Sequence, residues 1–415
     1  MKKKLTLKEN MFIGSMLFGL FFGAGNLIFP IHLGQAAGSN VFIANLGFLI
    51  TAIGLPFLGI IAIGISKTSG LFEIAFSPFL SPKQITLYLF IFSFVFFVIA
   101  WFFARKPSRI LEYIGKFLNP VFLVLLAIIL LFAFIHPLGG ISDAPISKQY
   151  QSNALFNGFL DGYNTLDALA SLAFGIIIVA TIKKLGIENP TDIAKETIKS
   201  GTISIIMMGI IYTLLAIMGT LSIGHFKLSE NGGIALAQIT QYYLGNYGIV
   251  LLSLIVMVAC LKTAIGLITA FSETFEHLFP KMNYLAIATV VSFISFLFAN
   301  VGLTKIIMYS VPVLMFLYPL AIALIVLTLF SSKFHHSKTI YQCTIFFTMI
   351  AALVDGLKAS PEFISSTSFS QTLINFSQKY LPLSDIGMGW VVLSLIGFII
   401  GFIIYKIKHR KIPQA

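Results

Sequence analysis

Charge is scarce in this sequence: only 10% of its 415 residues are Asp, Glu, Lys or Arg, against about 25% in a water-soluble domain. So little polar surface cannot clothe a core in water, which excludes a soluble enzyme or regulator. Cysteine is nearly absent. Cys260 and Cys343 both lie in long apolar runs, where cysteine behaves as a small hydrophobe, so neither a disulfide framework nor a thiolate metal site is expected. Catalytic constellations are missing as well. There is no HExxH, no Walker loop and no nucleophile elbow, and the seven histidines are scattered, with His335 and His336 read as solvated loop residues. Neither an enzyme nor a resident cofactor is expected.

What is present is apolar. Hydrophobic residues make up 58% of the chain and its mean hydropathy is +0.96, enough for about ten to twelve helices at about 20 residues per crossing. Long runs bounded by charges, Pro or Gly place spans at residues 11–35, 40–66, 84–104, 117–135, 154–182, 200–223, 246–271, 284–300, 303–330, 339–357 and 387–405, with 232–245 as an amphipathic lead-in. The runs are too long for barrel strands. The expected class is an all-α polytopic membrane protein of about eleven helices, with the bilayer as its partner. The 42 Phe residues read as lipid-facing bulk. MKKKLTLKEN leads into the first run without a cleavage site, so that run reads as a retained helix.

The net charge of +12 is read by position rather than as a signal for nucleic acid, because cytoplasmic loops collect Lys and Arg. Nineteen of the 27 basic residues fall in MKKKLTLK, Arg105–Lys116, Lys183–Lys199, Lys281, Lys333–Lys338 and Lys406–Lys411; the intervening loops hold five. From Arg105 onward the alternation fits basic loops inside, with both termini cytoplasmic. Before Arg105 it fails. Three spans after a cytoplasmic N-terminus deliver Arg105, Lys106 and Arg109 outside, so one crossing is missing. LFEIAFSPFL, with Glu73 and Pro78, reaches only half a bilayer at about 1.5 Å per residue.

Two spans carry helix-breaking chemistry. GSMLFGLFFGAGNLIFP holds Gly19, Gly23, Gly25, Asn26 and Pro30; the Gly19–Gly23 spacing also suits close helix packing, but so many weak helix formers exceed what a packing face needs. FNGFLDGYNTLDALASLAFG holds Gly158, Asp161, Gly162, Asn164, Thr165 and Asp167. Carboxylates at membrane depth are functional candidates, although Asp161 at a headgroup and Asp167 as a helix cap are the structural alternatives. Two interrupted helices in corresponding positions of two halves point to a midplane binding site, with helix N-termini facing an anion and freed carbonyls facing a cation.

At these residues the sequence resembles the branched-chain amino acid:cation symporter family, a branch of the LeuT-type transporters. LFGLFFGAGNLIFP, GLPFLGIIAIG, PSRILEYIGKFLNP, FNGFLDGYNTLDALASLAFG and VACLKTAIGLITAFSETFEHLFPK carry the likeness, which runs from Asn10 to the C-terminus. The resemblance implies an inverted-repeat bundle: a first repeat over 1–135, a second over 154–330 and two extra helices over 339–405. It also implies import of Leu, Ile or Val with Na+ or H+ across a bacterial cytoplasmic membrane. Carried over to this chain, Gly23, Ala24, Gly25 and Asn26 would meet the substrate carboxylate, and Gly158, Phe159, Asp161, Gly162, Tyr163 and Asp167 would line the opposing break. Phe22, Phe159 and Phe174 would supply the apolar pocket, and Gly19, Phe22, Lys262 and Thr263 the cation site.

Two departures stand out. The family carries a complete third helix where SKTSG here joins directly to LFEIAFSPFL, between Gly70 and Leu71, which leaves a transport-deficient relic or a regulatory membrane protein as the rival reading. The family's paired threonines of the eighth helix are here Lys262 and Thr263. An ammonium could take the cation's place there, or the lysine could pair with a carboxylate such as Asp167. Inserting a relative's third helix between Gly70 and Leu71 is expected to raise weak uptake several-fold. Thiol labelling of Lys4→Cys and Ser108→Cys reports the crossing parity alongside it. If both positions are cytoplasmic and uptake is already robust without the insertion, residues 67–83 already cross the membrane.

Overall fold

The structure is a computed structural model and describes residues 4–56, 82–106, 111–279, 281–300, 303–330, 334 and 337–410. LFEIAFSPFL, residues 57–66 of the second span, and His335 and His336 lie outside the described residues. Among the described residues the chain is all-α. Helices run at α1 (Leu7–Phe21), α2 (Ala24–Ala37), α3 (Val41–Leu49), α4 (Pro82–Ala104), α5 (Asn119–Ile135), α6 (Ala154–Asp161), α7 (Asp167–Lys184), α8 (Pro190–Ser222), α9 (Gly232–Leu278), α10 (Tyr284–Ala299), α11 (Leu303–Phe330), α12 (Lys338–Lys358), α13 (Ser368–Tyr380) and α14 (Gly389–Arg410). Several are long and apolar enough to cross a bilayer, as the hydropathy requires. The chain divides into two compact units, Met1–Leu303 and Thr304–Ala415.

Local sequence sets most boundaries. Thr6 caps α1 by accepting from the Glu9 N–H at 3.3 Å while the Glu9 carboxylate accepts from the Thr6 N–H at 2.8 Å, a reciprocal arrangement that satisfies two orphan donors. The span expected at 200–223 begins ten residues earlier, at Pro190. Asn189 accepts from the Thr191 N–H at 2.9 Å, and proline is at home in a first turn that needs no N–H bond. The expected lead-in at 232–245 and the span at 246–271 are one 47-residue helix, kinked at Gly245 where φ is +56°, a conformation glycine adopts without a Cβ clash. A π-helical stretch, Leu111–Leu118, precedes α5. The amphipathic α13 was not anticipated from hydropathy, because its polar face lowers the average.

In the first unit, helix crossings close until backbone touches backbone. A Cβ on Gly34 of α2 would sit 1.9 Å from the Ala216 carbonyl oxygen of α8, and one on Gly219 of α8 would sit 2.2 Å from that of Ile31. Thr220 Oγ1 donates to the Gly34 carbonyl at 2.8 Å. The crossing of α3 and α6 repeats the pattern, with Gly47 against the Leu155 carbonyl and Gly158 against that of Ala44, both at 1.9 Å. Small residues let helices approach this closely where lipid offers no hydrophobic drive for association. In the second unit α12 packs on α14, where Gly397 faces the Cys343 carbonyl and Leu327, Phe334 and Ile340 form a core. Cys260 and Cys343 are both free thiols.

Gly34→Ala and Gly158→Ala should each lower the unfolding temperature of the detergent-purified chain, because a forced methyl typically costs about 1–3 kcal/mol. Gly209→Ala, whose Cβ would meet only Ile53 at 3.6 Å, should leave it nearly unchanged. Equal melting of all three would disprove the backbone crossings.

Candidate functional site

Both interrupted spans break where the sequence predicts. The first leaves helical geometry at Phe22 (φ −76°, ψ 83°) and restarts at Ala24. Gly23 has no side chain to cap the new helix, and Asn26 does it from inside the first turn: its Oδ1 accepts from the Gly23 N–H at 3.0 Å. The second break is a 3-10 turn, Gly162–Thr165, followed by Leu166 at φ +64° and the start of α7 at Asp167. A leucine in the left-handed region costs of order 1–3 kcal/mol and persists only where its surroundings hold it. Here Thr165 Oγ1 donates to the Gly162 carbonyl at 2.9 Å, and the Leu166 carbonyl accepts from the Ala170 N–H at 2.9 Å.

The breaks meet through side chains. Asn26 Nδ2 donates to Asp167 Oδ2 at 2.6 Å, and the Tyr212 hydroxyl of α8 donates to the same oxygen at 2.7 Å. The Asn26 amide also donates to the Tyr212 hydroxyl. Asn26, Asp167 and Tyr212 are 2%, 1% and 0% exposed, so none of them is solvated. No basic side chain among the described residues lies within ion-pair distance of Asp167. A buried carboxylate answered only by neutral donors is electrostatically incomplete, although the α7 N-terminus offsets part of its charge. The first turn of α2 starts at the same place, and the start of a helix carries backbone N–H groups that lack an intrahelical acceptor. An acceptor for an ammonium and donors for a carboxylate therefore stand together, which is the complement of a zwitterion.

The other candidates divide between this centre and its surroundings. Gly23 lies against Thr263, whose Oγ1 would be 3.2 Å from a Cβ there and is fully buried without a hydrogen-bond partner. Gly25 and Ala24 belong to the first turn of α2, with Gly25 close to Phe29 and to the Asn164 carbonyl. Phe22 is fully buried, its ring 5.5 Å from that of Tyr212 and 5.3 Å from that of Phe122. Phe174 packs edge-on against Phe21 at 5.2 Å, and Phe159 against Tyr163 at 5.6 Å. Gly158 and Gly162 face α3 and the turn after it, where Thr51 Oγ1 donates to the Phe159 carbonyl at 2.6 Å.

Asp161 has a partner of its own and does not join Asp167. The Tyr150 hydroxyl donates to it, and Asn40 Nδ2 donates to the Tyr150 carbonyl at 3.0 Å. Burial, with the Asp161 carboxylate beside it, holds the Tyr150 hydroxyl well above the usual phenol range, so it remains a donor. Gly19 and Lys262 both meet Asn119: a Cβ on Gly19 would lie 3.3 Å from its side chain, and Lys262 Nζ donates to its Oδ1 at 3.1 Å. The lysine thus pairs with an amide rather than with Asp167. Sequence reading missed Tyr212 and Asn119. A tyrosine in IIYTLL and an asparagine in FLNP carry no spacing signal, and only the crossing of α8 and α5 with α1 and α2 gives them roles.

Comparison with known proteins adds independent findings. A family model described as branched-chain amino acid transport protein matches residues 6–71 and 67–408. The branched-chain amino acid permease BrnQ of Lactobacillus delbrueckii subsp. lactis is 42% identical over 430 positions, covering 94% of this chain and 96% of that protein. BrnQ of Escherichia coli (strain K12) is 32% identical over 448 positions, covering all of both chains. The structure of MhsT in complex with L-phenylalanine aligns over 97% of this chain and 99% of that one, at 15% identity and a TM-score of 0.47. The 448 aligned positions exceed the 415 residues of this chain, so the E. coli relative holds residues that this one lacks. The family match divides at 67–71, where SKTSG runs into LFEIAFSPFL.

Asn26→Ala and Gly25→Leu are expected to abolish uptake of labelled leucine while most of the protein remains in the membrane. Tyr212→Phe, which keeps the ring and removes one donor to Asp167, should reduce uptake at least several-fold, since a lost bond to a buried charge is worth about 1.5–3 kcal/mol. Normal uptake by Asn26→Ala would mean that the breaks serve packing alone.

Proposed function

Because the chain belongs to the family of branched-chain amino acid transport proteins, we propose that it is a secondary active transporter importing Leu, Ile and Val together with Na+ or H+ across a bacterial cytoplasmic membrane. The observation that carries this reading is Asp167: a carboxylate 1% exposed, placed at a helix break, tied to the other break through Asn26 and lacking a cationic partner among the described residues. The ammonium of an amino acid supplies the missing charge. Its carboxylate faces the N–H groups at the start of α2, and its apolar side chain is left to the aromatic wall around Phe22.

Binding and release then follow from the same contacts. With substrate bound, Asp167 and the first turn of α2 are both neutralised, and the two breaks are held together. Without it, the breaks are joined only by the neutral donors that meet Asp167, Asn26 and Tyr212 among them, and the non-helical link at Phe22–Gly23 leaves α1 and α2 as separate segments. Alternating access is the motion this hinge allows, with one bundle rocking around a midplane site. The division of the family match at 67–71 favours a second reading, a relic that keeps the site but has lost a scaffold helix.

Cells expressing the chain should accumulate labelled Leu, Ile and Val above an empty-vector control. Excess of any one should compete with the others, since one methylene in an apolar pocket discriminates by only about 1–3 kcal/mol. Accumulation equal to the control, with the protein shown to be in the membrane, would reject transport in favour of the relic.

A further inference from the structure

A second buried ionisable side chain lies in the same unit, and it does not meet the first. Lys262 of α9 is fully buried, and no carboxylate among the described residues lies within ion-pair distance of it. Its Nζ stands 3.6 Å from the ring centroid of Phe122 on α5, 5.5 Å from that of Phe18 and 5.9 Å from that of Phe22. It donates to Asn119 Oδ1 at 3.1 Å. Asn119 is aimed by its own partners: its Nδ2 donates to Ser15 Oγ at 2.9 Å, and Ser15 Oγ donates to the Gly115 carbonyl at 3.2 Å. With the amide nitrogen engaged, the oxygen is turned toward the lysine.

Aromatic faces around a positive nitrogen, completed by one amide oxygen, are the chemistry that recognises an organic ammonium ion. Ring quadrupoles attract the charged form and offer a neutral amine little. Three elements converge on the nitrogen: α1 through Phe18, α5 through Asn119 and Phe122, and α9 through the lysine itself, with Phe22 at the break beyond α1. The stem of Lys262 delivers an ammonium to a place that a free cation could otherwise fill.

We propose that Phe18, Phe22, Phe122 and Asn119 form an ammonium cage whose resident is Lys262, a cation built into the chain that locks α9 and α5 onto the broken first span. Like charge then keeps a free metal cation from Gly19, Phe22 and the neighbouring Thr263, so uptake runs without sodium at that place. The sodium statement rests on the transport reading, whereas the cage is testable on folded protein alone.

Detergent-purified full-length chain and its Lys262→Ala variant are compared by thermal unfolding with propylammonium chloride or propan-1-ol. Lys262→Ala should melt lower by about 4 °C or more and regain most of that loss with propylammonium, which restores both stem and charge, but not with propan-1-ol. Equal recovery with the alcohol, or none with either, overturns the cage. Phe122→Leu guards against a Lys262→Ala chain that does not accumulate: it should lower the melting temperature more in the parent than in a Lys262→Met background, and additive shifts overturn the proposal. In uptake assays the parent should perform alike in sodium and choline media. Sodium stimulation overturns the built-in cation, whereas absence of all uptake defeats the transport reading and leaves the melting results to decide the cage.

Discussion

The side chain of Asn26 holds the two helix breaks of the first unit together. A membrane helix that breaks must satisfy its freed backbone from within the protein, and Asn26 does so by accepting from the Gly23 N–H. The other end of the same amide donates to Asp167 and Tyr212. Repair of one broken helix is therefore also its connection to the other. An aspartate at position 26 could accept from Gly23 but not donate to Asp167, and a leucine could do neither. A carboxamide accepts at its oxygen and donates at its nitrogen, so it does both at once in opposite directions.

That connection depends on how closely the helices approach. The glycines of α2, α3, α6 and α8 bring backbones into contact, and only at such distances do side chains as short as Asn26 and Asp167 reach each other. Thr220, Gln35 and Asn45 reinforce the crossings with bonds from α2 and α3 to α8. Close packing and polar chemistry are thus one arrangement rather than a scaffold with a site added. It also explains why Gly158 and Gly162, at and beside the second break, face a neighbouring helix.

The two buried ionisable side chains are handled in different ways. Lys262 is enclosed by aromatic faces and an aimed amide oxygen, whereas among the described residues Asp167 has only neutral donors and a helix N-terminus. Phe22 lies between these environments, with its ring against both Tyr212 and the lysine.

Composition, hydropathy and breaker residues were enough to read an all-α polytopic protein, most of its spans and the two interruptions, because transfer from water to lipid and helix termination are local properties of the chain. Asn26, Asp167 and Lys262 stood out for the same reason: each is polar where polarity is costly. Which of them would meet was decided only by the tertiary structure. Asp161 went to Tyr150, Asp167 to Asn26 and Tyr212, and Lys262 to Asn119 and Phe122. Tyr212 and Asn119 are ordinary residues in apolar surroundings until α8 and α5 are laid across the first span. Partner choice in a helix bundle follows from crossing geometry, which residues far apart in sequence determine together, and no stretch of the chain carries it alone.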